Sequence, residues 1–137
     1  MSPATCDTSV LVPALLSWHQ HHAAARAALA GGLTVLPGHV LLETYSVLTR
    51  LPAPHRISPS DARTALASLE ARPLLLPPER HVHLIGQLAR VGLGGGAVYD
   101  ALVAATALEH EVELLTLDRR AVRAYEVVGA AFRVVQA

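Results

Sequence analysis

The amino-acid sequence predicts an α/β fold, a sandwich of helices around a parallel sheet. Two patterns lead there. Five short apolar runs of strand length recur along the chain, each separated from the next by helical stretches. The runs are apolar throughout rather than alternating, which marks strands covered on both faces, as parallel strands are. With 137 residues, 52% of them hydrophobic and 16% charged, the chain is expected to form a single domain over residues 1–137 with a core of its own. No polar or repetitive tract breaks this composition, which excludes an intrinsically disordered chain.

Taken in order, Ala4 to Asp7 reads as a first strand, short and preceded by Pro3. Val10 to Trp18 predicts a helix, with Pro13 where an early turn tolerates it. His19 to Ala30 is rich in alanine and predicts a second helix, stopped by Gly31-Gly32. Leu33 to Leu36 is the second strand, and Pro37-Gly38 turns the chain into a helix from His39 to Leu51, ended by Pro52. After a loop over residues 52–57, Ser58-Pro59-Ser60-Asp61 has the order of a helix start with proline just inside it, and this helix extends to about Arg72. Leu74 to Leu76 is a third strand between Pro73 and Pro77, followed by a helix from Glu79 to Val91 and a glycine-rich loop from Gly92 to Gly96. Val98 to His110 predicts a helix, Glu113 to Leu117 the fourth strand, Arg119 to Tyr125 a short helix and Phe132 to Val135 the last strand.

Formal net charge is zero and all eleven basic residues are arginine, so no global field announces a nucleic acid; any such contact would rest on local patches. Cys6 is the only cysteine, which excludes an intramolecular disulfide and a cysteine metal cluster. The first basic residue is Arg26, so the chain begins without the positive region of a secretory signal. No apolar run approaches the roughly 18 residues of a membrane span. A cytoplasmic location without membrane contact is therefore expected.

Four of the eleven acids interrupt apolar sequence. Asp7 follows Ala4-Thr5-Cys6; Glu43 breaks Val40-Leu41-Leu42 from Tyr45, Val47 and Leu48; Asp100 opens Ala101-Leu102-Val103-Ala104-Ala105; Asp118 ends Leu114-Leu115-Thr116-Leu117. Carboxylates pressed against a core need a partner or a cation. Each acid alone also fits a simpler role: Asp7 and Asp118 as helix caps, Asp100 as an acid favoured by the helix dipole, Glu43 as part of a solvated stripe with His39, Ser46 and Arg50. Taken together they suggest a divalent metal, since Asp7 and Asp118 fall at the carboxyl ends of strands, where open parallel sheets bind ligands.

Other features are weaker. In His19-Gln20-His21-His22 the spacing does not form the one-face pair of a helical zinc site, and an exposed helix start is expected. The glycine loop lacks the Lys-Ser/Thr of a phosphate-binding loop. Arg50, Arg119, Arg120 and Arg123 are candidates for gripping nucleic-acid phosphates. Trp18 with Leu15-Leu16 fits either core packing or a partner surface.

The ordered set Cys6-Asp7-Thr8-Ser9, Glu43-Thr44-Tyr45-Ser46-Val47-Leu48-Thr49-Arg50, Tyr99-Asp100-Ala101-Leu102 and Leu115-Thr116-Leu117-Asp118-Arg119-Arg120 resembles PIN-domain ribonucleases, above all VapC toxins of bacterial toxin–antitoxin pairs. The resemblance covers essentially the whole chain. It implies a three-layer sandwich with a five-stranded parallel sheet, and a metal-dependent endoribonuclease that uses Mg2+, or Mn2+, to hydrolyse RNA phosphodiester bonds. Carried over position by position, Asp7, Glu43, Asp100 and Asp118 become the catalytic, metal-holding acids, with the Ser9 and Thr116 hydroxyls as support. Arg120 stands where some members carry a further Asp or Asn, which leaves one or two ions open. The resemblance also implies a cognate VapB-like antitoxin, a homodimer, and products with 5′-phosphate and 3′-hydroxyl ends. A reading of another class, a non-catalytic PIN-fold interaction module, sits less well with the intact set of acids. A receiver domain would need a lysine, which the chain lacks, and a haloacid-dehalogenase-like phosphatase an Asp where Ser9 stands.

Overall fold

A computed structural model of the chain describes residues 3–137. Short strands and longer helices alternate along it: β1 (Ala4–Cys6), α1 (Thr8–Leu15), α2 (His22–Ala28), β2 (Val35–Pro37), α3 (Gly38–Thr49), α4 (Pro59–Ala67), β3 (Arg72–Leu74), α5 (Glu79–Val91), α6 (Ala97–Glu109), β4 (Glu113–Thr116), α7 (Val122–Val128) and β5 (Phe132–Val134). Every strand pairing is parallel. β4 lies between β1 and β5, with Cys6 opposite Leu115 and Thr116 opposite Val134, while β2 pairs with β3.

The α/β class and the parallel pairing match the expectation, but the single five-stranded sheet does not. The described residues form a sheet of three strands and another of two. The cause is local to Thr5. Its Oγ1 donates to the Val35 carbonyl at 2.8 Å, so β1 and β2 meet through a buried side chain where a main-chain ladder would otherwise run. Around this junction lie Val10, Leu11, Leu36, Val40, Leu74, Leu114 and Leu115, all essentially inaccessible to solvent. Each such side chain contributes about 1.5–3 kcal/mol by leaving water.

Several element limits shift for identifiable reasons. α1 starts at Thr8 rather than Val10 because Asp7 caps it, which leaves Pro13 inside the helix; Pro13 lacks the N–H that would continue the ladder, and the helix stops two residues later. α2 starts at His22 rather than His19. The His21 N–H is taken by the His19 ring, and the His22 ring donates to the Pro13 carbonyl, so this stretch forms turns instead. β3 comprises Arg72–Leu74 and contains Pro73, which an edge strand tolerates. α4 begins as expected, with Ser58 Oγ accepting the Asp61 N–H at 3.1 Å, but ends at Ala67, and Glu70 turns the chain with a φ of 53°. α7 runs later than expected, because Asp118 holds a turn that uses up Arg119 and Arg120; Gly129, at φ 87°, ends it. Among the described residues no helix is long and apolar enough to cross a membrane.

Candidate active site

β1 ends at Cys6 and α1 begins at Thr8, which leaves Asp7 at the carboxyl end of a strand and the start of a helix. Its backbone is extended, and Oδ1 accepts the Ser9 N–H at 3.0 Å as an N-cap. The Ser9 hydroxyl donates to the same oxygen, and the Tyr125 hydroxyl, from α7, donates to Oδ2 at 2.6 Å. A carboxylate offers about four lone-pair positions. Three are taken here, and the free one is on Oδ2. Capping and ligand binding are thus compatible roles for Asp7, one on each side of the same group. Only 6% of Asp7 is exposed. Burial pushes its carboxyl above the usual range, against the pull of the Ser9, Thr116 and Tyr125 hydroxyls and the Ser9 amide.

The hydroxyls continue across to β4. Ser9 Oγ accepts the Leu117 N–H at 2.8 Å and lies 3.3 Å from Thr116 Oγ1, which accepts the Asp118 N–H at 3.0 Å. Since Ser9 gives its single proton to Asp7, Thr116 must be the donor between the two. Asp118 Oδ1 in turn accepts the Arg120 N–H at 3.0 Å, with Arg120 Nε 3.7 Å away. Ser9 and Thr116 therefore tie the ends of β1 and β4 together directly between Asp7 and Asp118.

Glu43 and Asp100 come from helices. Glu43 Oε1 accepts the Thr8 hydroxyl, and Oε2 lies 3.7 Å from His39 Nε2, one turn earlier on α3. The His39 ring stacks on Tyr99 of α6 with centroids 5.4 Å apart and planes 8° from parallel, which fixes α3 against the residue before Asp100. Asp100 is pushed up to about 6, first by burial and then by Asp118, Asp7 and Glu43, with Arg120 opposing. All three other acids thus act on this one carboxyl, although they come from different elements.

The expectation of four acids against the core needs correction. Only Asp7 is buried; Asp100 is half-buried, and the side chains of Glu43 and Asp118 are 43% and 35% exposed. The three lie at a rim around Asp7, because each stands where its element meets solvent. Among the described residues no three His, Cys, Asp or Glu side chains stand close enough to enclose an ion. The donor chemistry nevertheless suits a hard divalent cation: all oxygen, concentrated negative charge, and one carboxyl held well above its ordinary value by burial and by its acidic neighbours.

The arginines separate. Arg119 and Arg120 are exposed and, with Leu117, Asp118, Val134 and His21, border a cavity of about 370 Å³. Arg50 caps the far end of α3, seven residues or about 10 Å of helix beyond Glu43, and does not join this group. Arg123 reaches toward the Val91 carbonyl at 3.5 Å. Trp18 is 50% exposed, so the core is not its place. Tyr125 and Thr8 are site neighbours that the sequence reading missed. For Tyr125 a signal existed: a tyrosine on an apolar helix must find a partner for its hydroxyl. An apolar groove of about 670 Å³ lies apart from the acids, between α3 and α4, bordered by Leu41, Leu42, Tyr45 and Leu66.

Against known proteins, a family model described as PIN domain matches residues 4–127. The chain is 50% identical over 127 residues to Ribonuclease VapC27 of Mycobacterium tuberculosis (strain ATCC 25618 / H37Rv), which covers 93% of each chain. It is 46% identical over 121 residues to Ribonuclease VapC40 of the same species (strain CDC 1551 / Oshkosh), covering 88% of this chain and 90% of that one. The solved structure of FitAB bound to the IR36 DNA fragment shares the fold, with a TM-score of 0.67 at 18% identity over 96% of this chain and 94% of the other. The chain belongs to the PIN-domain family and, within it, to the VapC type of ribonuclease.

Proposed function

We propose that this protein is a divalent-cation-dependent endoribonuclease toxin that hydrolyses RNA phosphodiester bonds and is neutralised by a cognate VapB-like antitoxin. The observation that carries the proposal is the joining of Asp7 and Asp118 through Ser9 and Thr116 at the carboxyl ends of β1 and β4, with Asp100 near enough that Asp118, Asp7 and Glu43 add to the burial that raises its carboxyl. Asp7, Glu43, Asp100 and Asp118 would hold Mg2+ or Mn2+. Such an ion takes only one or two carboxylates directly and fills its other positions with water and phosphate oxygens. When bound, it supplies a water of lowered pKa and stabilises charge developing at phosphorus.

The chain's own residues set the stage for this chemistry. Ser9 and Tyr125 hold the Asp7 carboxylate in one orientation while leaving a lone pair on Oδ2. Thr116 fixes the backbone at Asp118, and Thr8 restrains Glu43. The exposed Arg119 and Arg120, which share a cavity with Asp118, would meet phosphates beside the acids. The apolar groove between α3 and α4, with Leu42 at 74% exposure, supports a protein partner, antitoxin or second copy, more than a small-molecule substrate.

The test uses protein freed of any partner. It should cleave RNA in Mg2+ or Mn2+, stop in chelator, and leave 5′-phosphate and 3′-hydroxyl ends. Expression without antitoxin should arrest growth, and Asp7→Asn should relieve the arrest while the protein stays folded. Cleavage that survives exhaustive chelation would refute the cation, and equal toxicity of the folded variant would move the function away from these acids.

A further inference from the structure

Trp18 is the only tryptophan in the chain, and it stands in the turn between α1 and α2 with 50% of its surface exposed. Its indole stacks on His55, from the loop after α3, with centroids 4.1 Å apart and planes 26° from parallel. The His19 ring lies 5.8 Å from the indole, tilted by 32°, and the His21 ring lies 5.6 Å from His19. His21 then borders the cavity that Asp118, Arg119 and Arg120 also border. A succession of four aromatic rings therefore leads from the loop after α3 to the cavity bordered by Asp118, Arg119 and Arg120.

The turn that carries these rings is held in shape. The His21 N–H donates to His19 Nδ1 at 3.0 Å, and His22 Nδ1 donates to the Pro13 carbonyl at 2.8 Å. The His19 ring is thus held by a hydrogen bond, and the half-exposed indole by its stack on His55. Burial of His19 and the adjacent His21 and His22 lower its pKa, which favours a neutral, stackable imidazole. The surrounding sequence lacks negative charge: no acid occurs between Asp7 and Glu43, or between Glu43 and Asp61, while Arg26, Arg50 and Arg56 do. A partly exposed aromatic surface from acid-free stretches of sequence, leading to a cavity that Arg119 and Arg120 border, matches the two chemistries of a single-stranded nucleic acid. Bases stack on rings, and phosphates pair with guanidinium groups.

We propose that Trp18, His19 and His21, backed by His55, form a base-stacking subsite for single-stranded RNA, which seats nucleotides flanking the scissile bond while Arg119 and Arg120 meet the phosphates between them. The proposal rests on the ribonuclease reading and adds to it where the unpaired bases lie. It also restricts the substrate to unpaired segments, because a duplex keeps its base faces covered.

The tryptophan itself is the reporter. A short mixed-sequence single-stranded oligoribonucleotide, added to the full-length protein in chelator at low salt, should quench Trp18 emission saturably. The same sequence as a duplex should quench it far less. Trp18→Leu should weaken binding of the single strand, measured by anisotropy of a labelled oligonucleotide, by about 5- to 150-fold, the range for loss of one stacked base. Trp18→Phe should restore most of the affinity, and thermal melts should show both variants folded. In Mg2+ or Mn2+, Trp18→Leu should raise KM with little change in kcat. A folded Trp18→Leu that binds and cleaves as wild type does overturns the subsite and leaves the ribonuclease reading intact. Quenching that follows protein concentration, or appears only with a protein partner, overturns it in favour of a protein interface. Binding that depends on Trp18, without cleavage in either metal, upholds the subsite and refutes the ribonuclease.

Discussion

Asp100→Asn exchanges one carboxylate for an amide of nearly the same shape, and its effect on the cation-free protein separates two accounts of that residue. In the folded chain Asp100 is raised from its ordinary 3.8 to about 6 by burial and by Asp118, Asp7 and Glu43. A carboxyl whose pKa is higher folded than unfolded favours the fold while it is protonated. That contribution is complete below the unfolded value and is lost as pH rises through the folded one. Near neutrality the ionised Asp100 is therefore a burden, which the amide removes. The full shift of about two units corresponds to about 3 kcal/mol. Asp100 is half-exposed, and solvent screening reduces this to about 1–2 kcal/mol. Loss of a favourable charge in the first turn of α6 takes back about 0.3–1 kcal/mol.

The net expectation near neutrality is a variant more stable than wild type by about 1 kcal/mol, or a rise in Tm of about 3–5 °C. Thermal melts in chelator across a pH series read this directly. The difference should be largest near neutrality and should shrink as pH falls, vanishing only below the ordinary value of 3.8, where the group is uncharged in the folded and the unfolded chain alike. Added Mg2+ should reverse the order by stabilising wild type, by about 2.7 kcal/mol if the ion reaches 100 times its Kd, and leave the variant almost unchanged. A variant less stable than wild type near neutrality, with neither protein responding to Mg2+, would refute the reasoning. Asp100 would then be a helix-start acid and not a ligand.

Two further substitutions probe the supports of the site. Tyr125→Phe removes the donor to Asp7 Oδ2 from a buried position, so stability should fall by about 1–3 kcal/mol in urea titrations. RNA cleavage should slow as well, because the carboxylate loses one of its restraints. Thr5→Val keeps the volume of the side chain but leaves the Val35 carbonyl without its donor, which should cost about 1–3 kcal/mol, read from the denaturation midpoint. An unchanged midpoint would mean that the two sheets are held together by packing alone.

The acids were legible in the sequence because each interrupts an apolar run, and a charge in such a place is informative whatever the fold. The α/β class was legible for a related reason, since apolar runs of strand length alternating with helical stretches leave few architectures. What the local sequence did not carry is the network that links distant residues. Tyr125 reaches Asp7 across 118 positions, and Thr5 reaches Val35 across 30. Neither partner could be named before the topology was known. Trp18 was undecidable for the same reason: it lies in a turn shaped by the His21 N–H bond to the His19 ring and the His22 bond to the Pro13 carbonyl, which displace the start of α2.

That network also explains how a cluster of like charges can be built without neutralising it. Asp7 and Glu43 are held mainly by hydroxyls, from Ser9, Tyr125 and Thr8. A hydroxyl orients a carboxylate and eases its burial but carries no net charge, so the field that raises Asp100 survives. An arginine or lysine in the same place would form a charge-assisted pair, cancel the field and compete with a cation for the same lone pairs. Within the site only Asp118 has an arginine near, Arg120 at 3.7 Å, on a side chain 96% exposed, where water screens the pair. The cation-free fold carries the resulting repulsion, which the divalent ion proposed for this site would relieve.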